Sequence, residues 1–181
     1  FAQERQWFLW QLDPHSAAYN IPTALRLRGA LDKTALQRSF DALVERHESL
    51  RTTFIENDGK TSQVIQAQGR ISFTGQRLAG ADEARIKAFV ENETQRPFDL
   101  LDGALVRCVL LDVGRQVGGQ VGEQRAAQDH VLVLTMHHIV SDAWSLQVMV
   151  EDLLALYSAI SQQQAATLPA LPVQSADYAV W

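Results

Sequence analysis

A chain of 181 residues with 46% hydrophobic content suits one domain or one large lobe with a full core. Its net charge of −5, without a basic stripe, argues against nucleic acid, and no apolar run approaches the ~20 residues that cross a bilayer. The only cysteine, Cys108, lies in the apolar run 105–111, so no disulfide can form within the chain; together with the lack of a visible signal peptide this suits a cytoplasmic setting.

Residues 1–12 read as a helix with Trp7, Phe8 and Leu12 on one apolar face, ended by Pro14. Residues 22–28 read as a strand closed by Gly29. Asp32 is placed to cap a helix whose inward stripe is Leu36, Phe40, Leu43, Val44 and His47. Residues 51–56 and 61–67 are strand-like, joined by the turn Asn57-Asp58-Gly59-Lys60. A short strand at 71–78 precedes a helix at 81–95, with Ile86, Phe89 and Val90 inward, that stops before Pro97. Residues 104–113 and 130–136 are the clearest strands. The segment between them, 114–128, holds four glycines and reads as a long hairpin loop, matching neither a phosphate loop nor a dinucleotide fingerprint. A final helix at 145–161 carries Leu146, Val150, Leu153, Leu154 and Tyr157 at helical spacing, followed by a connector at 162–173. No internal repeat is visible. Strands and helices mix without strict alternation, which predicts an α/β two-layer sandwich: helices packed on a mixed, mainly antiparallel sheet.

The stretch Met136-His137-His138-Ile139-Val140-Ser141-Asp142-Ala143-Trp144-Ser145 carries the chemistry. Two histidines fall where a buried strand ends, and an aspartate follows where a helix begins. Imidazole exchanges protons near neutrality, and strand ends leading into helices are where α/β folds place reacting groups. The plain alternative is a structural histidine pair. A shared metal ion is disfavoured, because neighbouring strand residues point to opposite faces and no further ligand recurs at zinc spacing. By the same facing, His137 points away from His138 and, if the latter is the reacting ring, is a packing or hydrogen-bonding residue. Asp142 is placed to cap the helix, with Ser145 joining the cap, and Trp144 is expected to pack into the core.

The stretch also resembles the His-His-x-x-x-Asp-Gly motif, often followed by Trp-Ser, of condensation domains of nonribosomal peptide synthetases. Three further blocks match in order. Ala2-Gln3-Glu4-Arg5-Gln6-Trp7-Phe8-Leu9 resembles the opening block, and Arg46-His47-Glu48-Ser49-Leu50-Arg51-Thr52-Thr53-Phe54 the second. Asp177-Tyr178-Ala179-Val180-Trp181 resembles the closing block, with Ser175 where a Tyr is usual. The resemblance implies the N-terminal lobe of a two-lobed, chloramphenicol acetyltransferase-like fold, cut from a larger multidomain chain and spanning residues 1–181. It implies amide-bond formation between an upstream carrier-bound acyl or peptidyl thioester and the α-amine of a downstream carrier-bound aminoacyl thioester, with His138 at the reaction centre. No cofactor is expected on this lobe, since phosphopantetheine belongs to the partner carrier domains. The other partners implied are the C-terminal lobe of the same domain and an adjacent adenylation domain. The resemblance further implies a buried ion pair between Asp142 and an arginine of the second block, for which Arg51 is chosen over Arg46 and Arg5.

One position departs from the family: Ala143 stands where Gly is usual. A positive φ there would strain alanine by roughly 1–2 kcal/mol. Three rival functions remain: an epimerisation-type relative of the same superfamily, a non-catalytic docking lobe, and a stand-alone acyltransferase.

Overall fold

The computed structural model describes residues 2–101, 104–115, 128–174 and 177. In chain order the described elements are α1 (Ala2–Leu12), β1 (Asn20–Arg28), α2 (Lys33–Arg46), a 3-10 turn (Glu48–Arg51), β2 (Thr52–Asn57), β3 (Lys60–Ile65), β4 (Ser72–Arg77), α3 (Glu83–Thr94), β5 (Val106–Arg115), β6 (Gln128–His137) and α4 (Ala143–Ser161). Most of the expected elements appear within a few residues of their expected limits. The loop expected at 114–128 falls mainly on residues 116–127, and the end of the closing block on 178–181; both lie outside the described residues.

The main sheet has the order β1-β6-β5-β4. β6 pairs antiparallel with both β1 and β5, and β4 pairs parallel with β5, so the sheet is mixed and mainly antiparallel. β1 is an edge strand, which is why Pro22 is tolerated inside it: an edge residue needs no second ladder partner. β2 and β3 form a separate hairpin. Its turn places Asp58 at φ 52° and Gly59 at φ 74°, the pair of left-handed residues that a two-residue Asp-Gly turn demands.

β6 is buried along nearly its whole length, and alternation divides it between two cores. Leu132, Leu134 and Met136, with Cys108 and Leu110 of β5, meet Phe40 and Leu43 of α2 and Met149, Leu153 and Leu156 of α4. Val131 and Val133, with Val109 and Leu111, meet Ile86 of α3. The helices therefore cover both faces of the sheet: α2 and α4 on one, α3 on the other. Strands that are apolar on both sides require this cover.

Side chains of Asp32 and Asp82 accept from the backbone N–H three residues on, and so start α2 and α3. Some expected facings fail. On α1 Trp7 is buried, while Phe8 and Leu12 are 58% and 67% exposed. On α4 the inward stripe runs through Met149, Leu153 and Leu156, leaving Leu154 exposed. In both helices the apolar residues outnumber the positions that face protein, so spacing alone does not choose among them.

A third cluster joins Trp7 of α1, Phe54 of β2, Phe98, Leu100, Leu105, Ile139 and Val140. It brings α1, the hairpin and the segment after α3 beneath the β6–α4 connection, and this packing positions the candidate site.

Candidate functional site

β6 runs out at His137, and the chain turns sharply through residues 138–140. The turn is pinned by backbone bonds: His137 N–H donates to Leu105 O at 3.0 Å, His138 N–H to Tyr19 O at 2.8 Å, and Val140 N–H to His137 O at 3.1 Å. From α1, Gln3 Nε2 donates to Ile139 O at 2.9 Å. The loop is therefore held from the turn before β1, from α1 and from the segment before β5.

The two histidines separate as strand alternation predicts. The His137 ring is buried, 6.3 Å from the Tyr19 ring and 6.0 Å from Phe98, which it meets nearly edge-on at 84°. Its Nδ1 accepts the Ile139 N–H at 3.1 Å. Burial, with a smaller push from neighbouring His138, lowers its pKa to about 4, so the ring is neutral at physiological pH. His138 is exposed and lines an open cleft of about 240 Å³, together with Gln3, Gln6, Ser49, Thr52 and Gln63. Apart from Asp142, the walls of this cleft are mainly amides, hydroxyls and aliphatic loop residues.

Asp142 is the N-cap of α4. Its Oδ1 accepts from both the backbone N–H and the hydroxyl of Ser145, each at 2.7 Å. These two bonds hold its carboxyl below the usual range, with a smaller contribution from His138. Ser145 thus joins the cap as expected. Ala143 opens the helix in helical backbone, so this position does not impose the positive φ that would strain alanine; its side chain lies outside what the structure describes.

Two expectations are corrected here. The first is the buried Arg51–Asp142 ion pair. Arg51 Nη1 donates to Gln66 O at 2.6 Å, and Nη2 lies 3.4 Å from Glu48 Oε1. Gly69 packs so closely on Arg51 and Val44 that a Cβ there would collide with both. Asp142 is exposed and already bonded within its own helix turn, so no buried charge calls for a cation. The rivals Arg46 and Arg5 do not bond it either among the described residues. The second correction is Trp144: it is 74% exposed on the first turn of α4 and does not pack in the core.

Two buried carboxylates do meet a cation, Asp129 with Arg26 and, nearer the site's helix, Asp152; sequence reasoning missed both. Asp152 is 8% exposed, and its Oδ2 meets Arg46 Nε at 2.9 Å and His47 Nε2 at 2.8 Å. Arg46 also donates to Pro169 O, which ties the connector after α4 to the end of α2. The signal was present: Asp152 stands three residues after Met149 and four before Leu156, on the inward stripe. Burial also raises the pKa of the Cys108 thiol, so this residue behaves as core filling. Among the described residues no group of three or more His, Cys, Asp or Glu side chains is placed to hold a metal ion.

The site is thus one solvent-facing imidazole on a cleft, braced by a buried neutral imidazole and a capped helix start. Such a group can accept a proton from a substrate amine or orient it by a hydrogen bond.

A family model described as "Condensation domain" matches residues 1–181. A linear gramicidin synthase polypeptide of Brevibacillus parabrevis is 41% identical over 186 residues, covering 100% of this chain and 2% of that protein. Malpinin synthetase of Mortierella alpina is 38% identical over 183 residues, again covering 100% of this chain and 2% of that protein. Among solved structures, the X-domain from teicoplanin biosynthesis, in its complex with OxyB, matches with a TM-score of 0.81 and 30% identity over 99% of this chain and 36% of that one. The chain therefore spans only a small part of the length of these relatives. The likeness establishes the chloramphenicol acetyltransferase-like fold class.

Proposed function

The chain belongs to the condensation-domain family of nonribosomal peptide synthetases, and from that premise we propose that it forms one lobe of an amide-bond-forming site centred on His138. The observation that carries this reading is the division of labour between the histidines: His137 is buried and neutral, while His138 faces the cleft. The cleft needs a second wall from the C-terminal lobe of the same domain. The two substrates are carrier-bound thioesters on phosphopantetheine arms, delivered by upstream and downstream carrier domains. An adenylation domain loads the acceptor.

In the proposed reaction the α-amine of the acceptor attacks the donor thioester carbonyl. A free α-amine has a pKa near ~7.7–8.0, so a large share is already neutral before attack. The nitrogen–carbon bond forms and the tetrahedral intermediate is zwitterionic. His138 takes the ammonium proton, the carbon–sulfur bond breaks, and the proton passes to the departing thiolate. His137 serves this step indirectly: by accepting the Ile139 N–H it keeps the turn that presents His138.

In the full-length protein, His138→Ala should lower transfer from a loaded donor carrier to a loaded acceptor carrier by about 10²–10⁴-fold. The readout is acceptor-bound product under single turnover. A folded variant with an unchanged rate overturns the reading.

A second reading, a docking lobe without chemistry, is favoured by one feature: Trp144 is largely exposed beside the cleft, as partner-binding anchors are. The X-domain relative is itself solved in complex with OxyB. Under this reading Trp144→Ala weakens partner binding while His138→Ala changes nothing.

A further inference from the structure

We propose that Arg107 is a positioning residue for His138, acting through Phe98 and His137. The proposal rests on the amide-forming reading of the cleft. Arg107 stands on β5 opposite Thr135 of β6, on the sheet face that α3 covers. Its guanidinium lies 3.9 Å over the centre of the Phe98 ring. Nη1 donates to Pro97 O at 2.8 Å, and Nη2 to Arg96 O at 2.6 Å and Glu93 O at 3.4 Å.

Glu93 O belongs to the last turn of α3, where the helix dipole favours a cation, and Arg96 O and Pro97 O follow the helix end. No carboxylate bonds Arg107 among the described residues; carbonyls and one aromatic face hold it. Burial, with nearby Arg96 adding to it, pulls its pKa down to about 10. An apolar side chain at this position would extend the sheet's apolar face without desolvating a charge. What only the guanidinium supplies is a rigid planar fork that fixes the 93–98 segment and seats Phe98.

The segment is also gripped from β1, where Asn20 Nδ2 donates to Thr94 O and Arg96 O. Phe98 in turn meets the His137 ring edge-on, and Phe98 O accepts from Trp10 Nε1. His137 Nδ1 then holds the N–H of Ile139, the residue after His138. Arg107 therefore reaches the reacting imidazole through a short run of directional contacts. Small displacements of a reacting group lower rate without loosening substrate binding.

The test uses the full-length protein with both carriers loaded, under single turnover. Arg107→Met keeps the packing stem and removes the fork. Its rate should fall about tenfold, while the acceptor-carrier concentration that half-saturates the rate stays unchanged. Phe98→Leu should do the same. The double variant should lose about tenfold, where independent effects would multiply to about a hundredfold. A wild-type rate in folded Arg107→Met, additive losses, or a change confined to half-saturation each overturns the proposal. If Arg107→Met does not fold, Arg107→Lys takes its place: it keeps a cation for the carbonyls and loses the planar stack, so an unchanged rate overturns the proposal equally. His138→Ala in the same assay separates the two levels. If it reacts at the wild-type rate, the underlying reading fails; if it is inactive while the Arg107 variants react normally, only the positioning role fails.

Discussion

His137 packs between Tyr19 and Phe98, one backbone step from a histidine that faces open cleft. The burial that makes it a reliable brace also makes folding sensitive to pH. Its folded pKa is about 4, against about 6.5 for a free ring, so between these values the unfolded chain holds a proton that the folded ring refuses. Stability is therefore complete above pH 6.5 and declines as pH falls towards 4, by up to about 3 kcal/mol from this group. His137→Asn places an amide oxygen near the position of Nδ1 and cannot titrate. Urea denaturation at pH 7 and pH 4.5 should show a smaller loss in that variant than in the wild type. Equal losses in the two proteins would mean that His137 is protonated in the folded state.

At the scale of elements, two aspartates on α4 do different work. Asp142 caps the helix from an exposed position, so Asp142→Ala should cost about 1 kcal/mol, the usual value of a lost cap. Asp152 is buried against Arg46 and His47, where α4 crosses the end of α2. Removing one partner of a buried pair leaves the other charged and desolvated, so Asp152→Ala should cost about 3–5 kcal/mol. Thermal or chemical denaturation of the two variants checks the order. A larger loss for Asp142→Ala would restore the buried ion pair first expected for it. Acid also acts at the end of β6 opposite His137. Arg26 bonds both Asp129 and Glu83, and its hydrogen bonds hold the Asp129 carboxyl below its usual range. The stability this gives is present above the unfolded carboxylate pKa and is lost as pH falls through the folded one.

Across the described residues, two apolar clusters lie on opposite faces of β5 and β6, and the third gathers Leu105, just before β5, with Ile139 and Val140, just after β6, so the core runs continuously to the site. The 181-residue chain should therefore unfold in one cooperative transition, visible as coincident loss of far-ultraviolet circular dichroism and tryptophan fluorescence. By itself it should not join two carrier-bound substrates. Holding two reactants in position can contribute ~7–11 kcal/mol, and a cleft open on one side does not hold both. Condensation by the chain alone at the rate of the full-length protein would refute the one-lobe reading. No helix among the described residues is long and apolar enough to cross a membrane.

Local pattern was enough for the elements, the caps at Asp32 and Asp142, the Asp-Gly turn, and the opposed facing of His137 and His138. Each of these depends on neighbours within a few residues, through helical period, strand alternation or turn chemistry. The motif blocks carried the family. Tertiary structure alone decided which charges pair. Arg51 and Asp142 are 91 residues apart, and whether they meet depends on how the turn after α2 sits against Gly69 and the hairpin. It also decided that Trp144, an ordinary core residue by type, lies in solvent, and that Asp152 on an apolar stripe meets a cation from another helix. Side-chain type records what a residue can do at short range. Burial and partnership depend on surfaces brought together from distant parts of the chain, and those exist only once the sheet and its helices have packed.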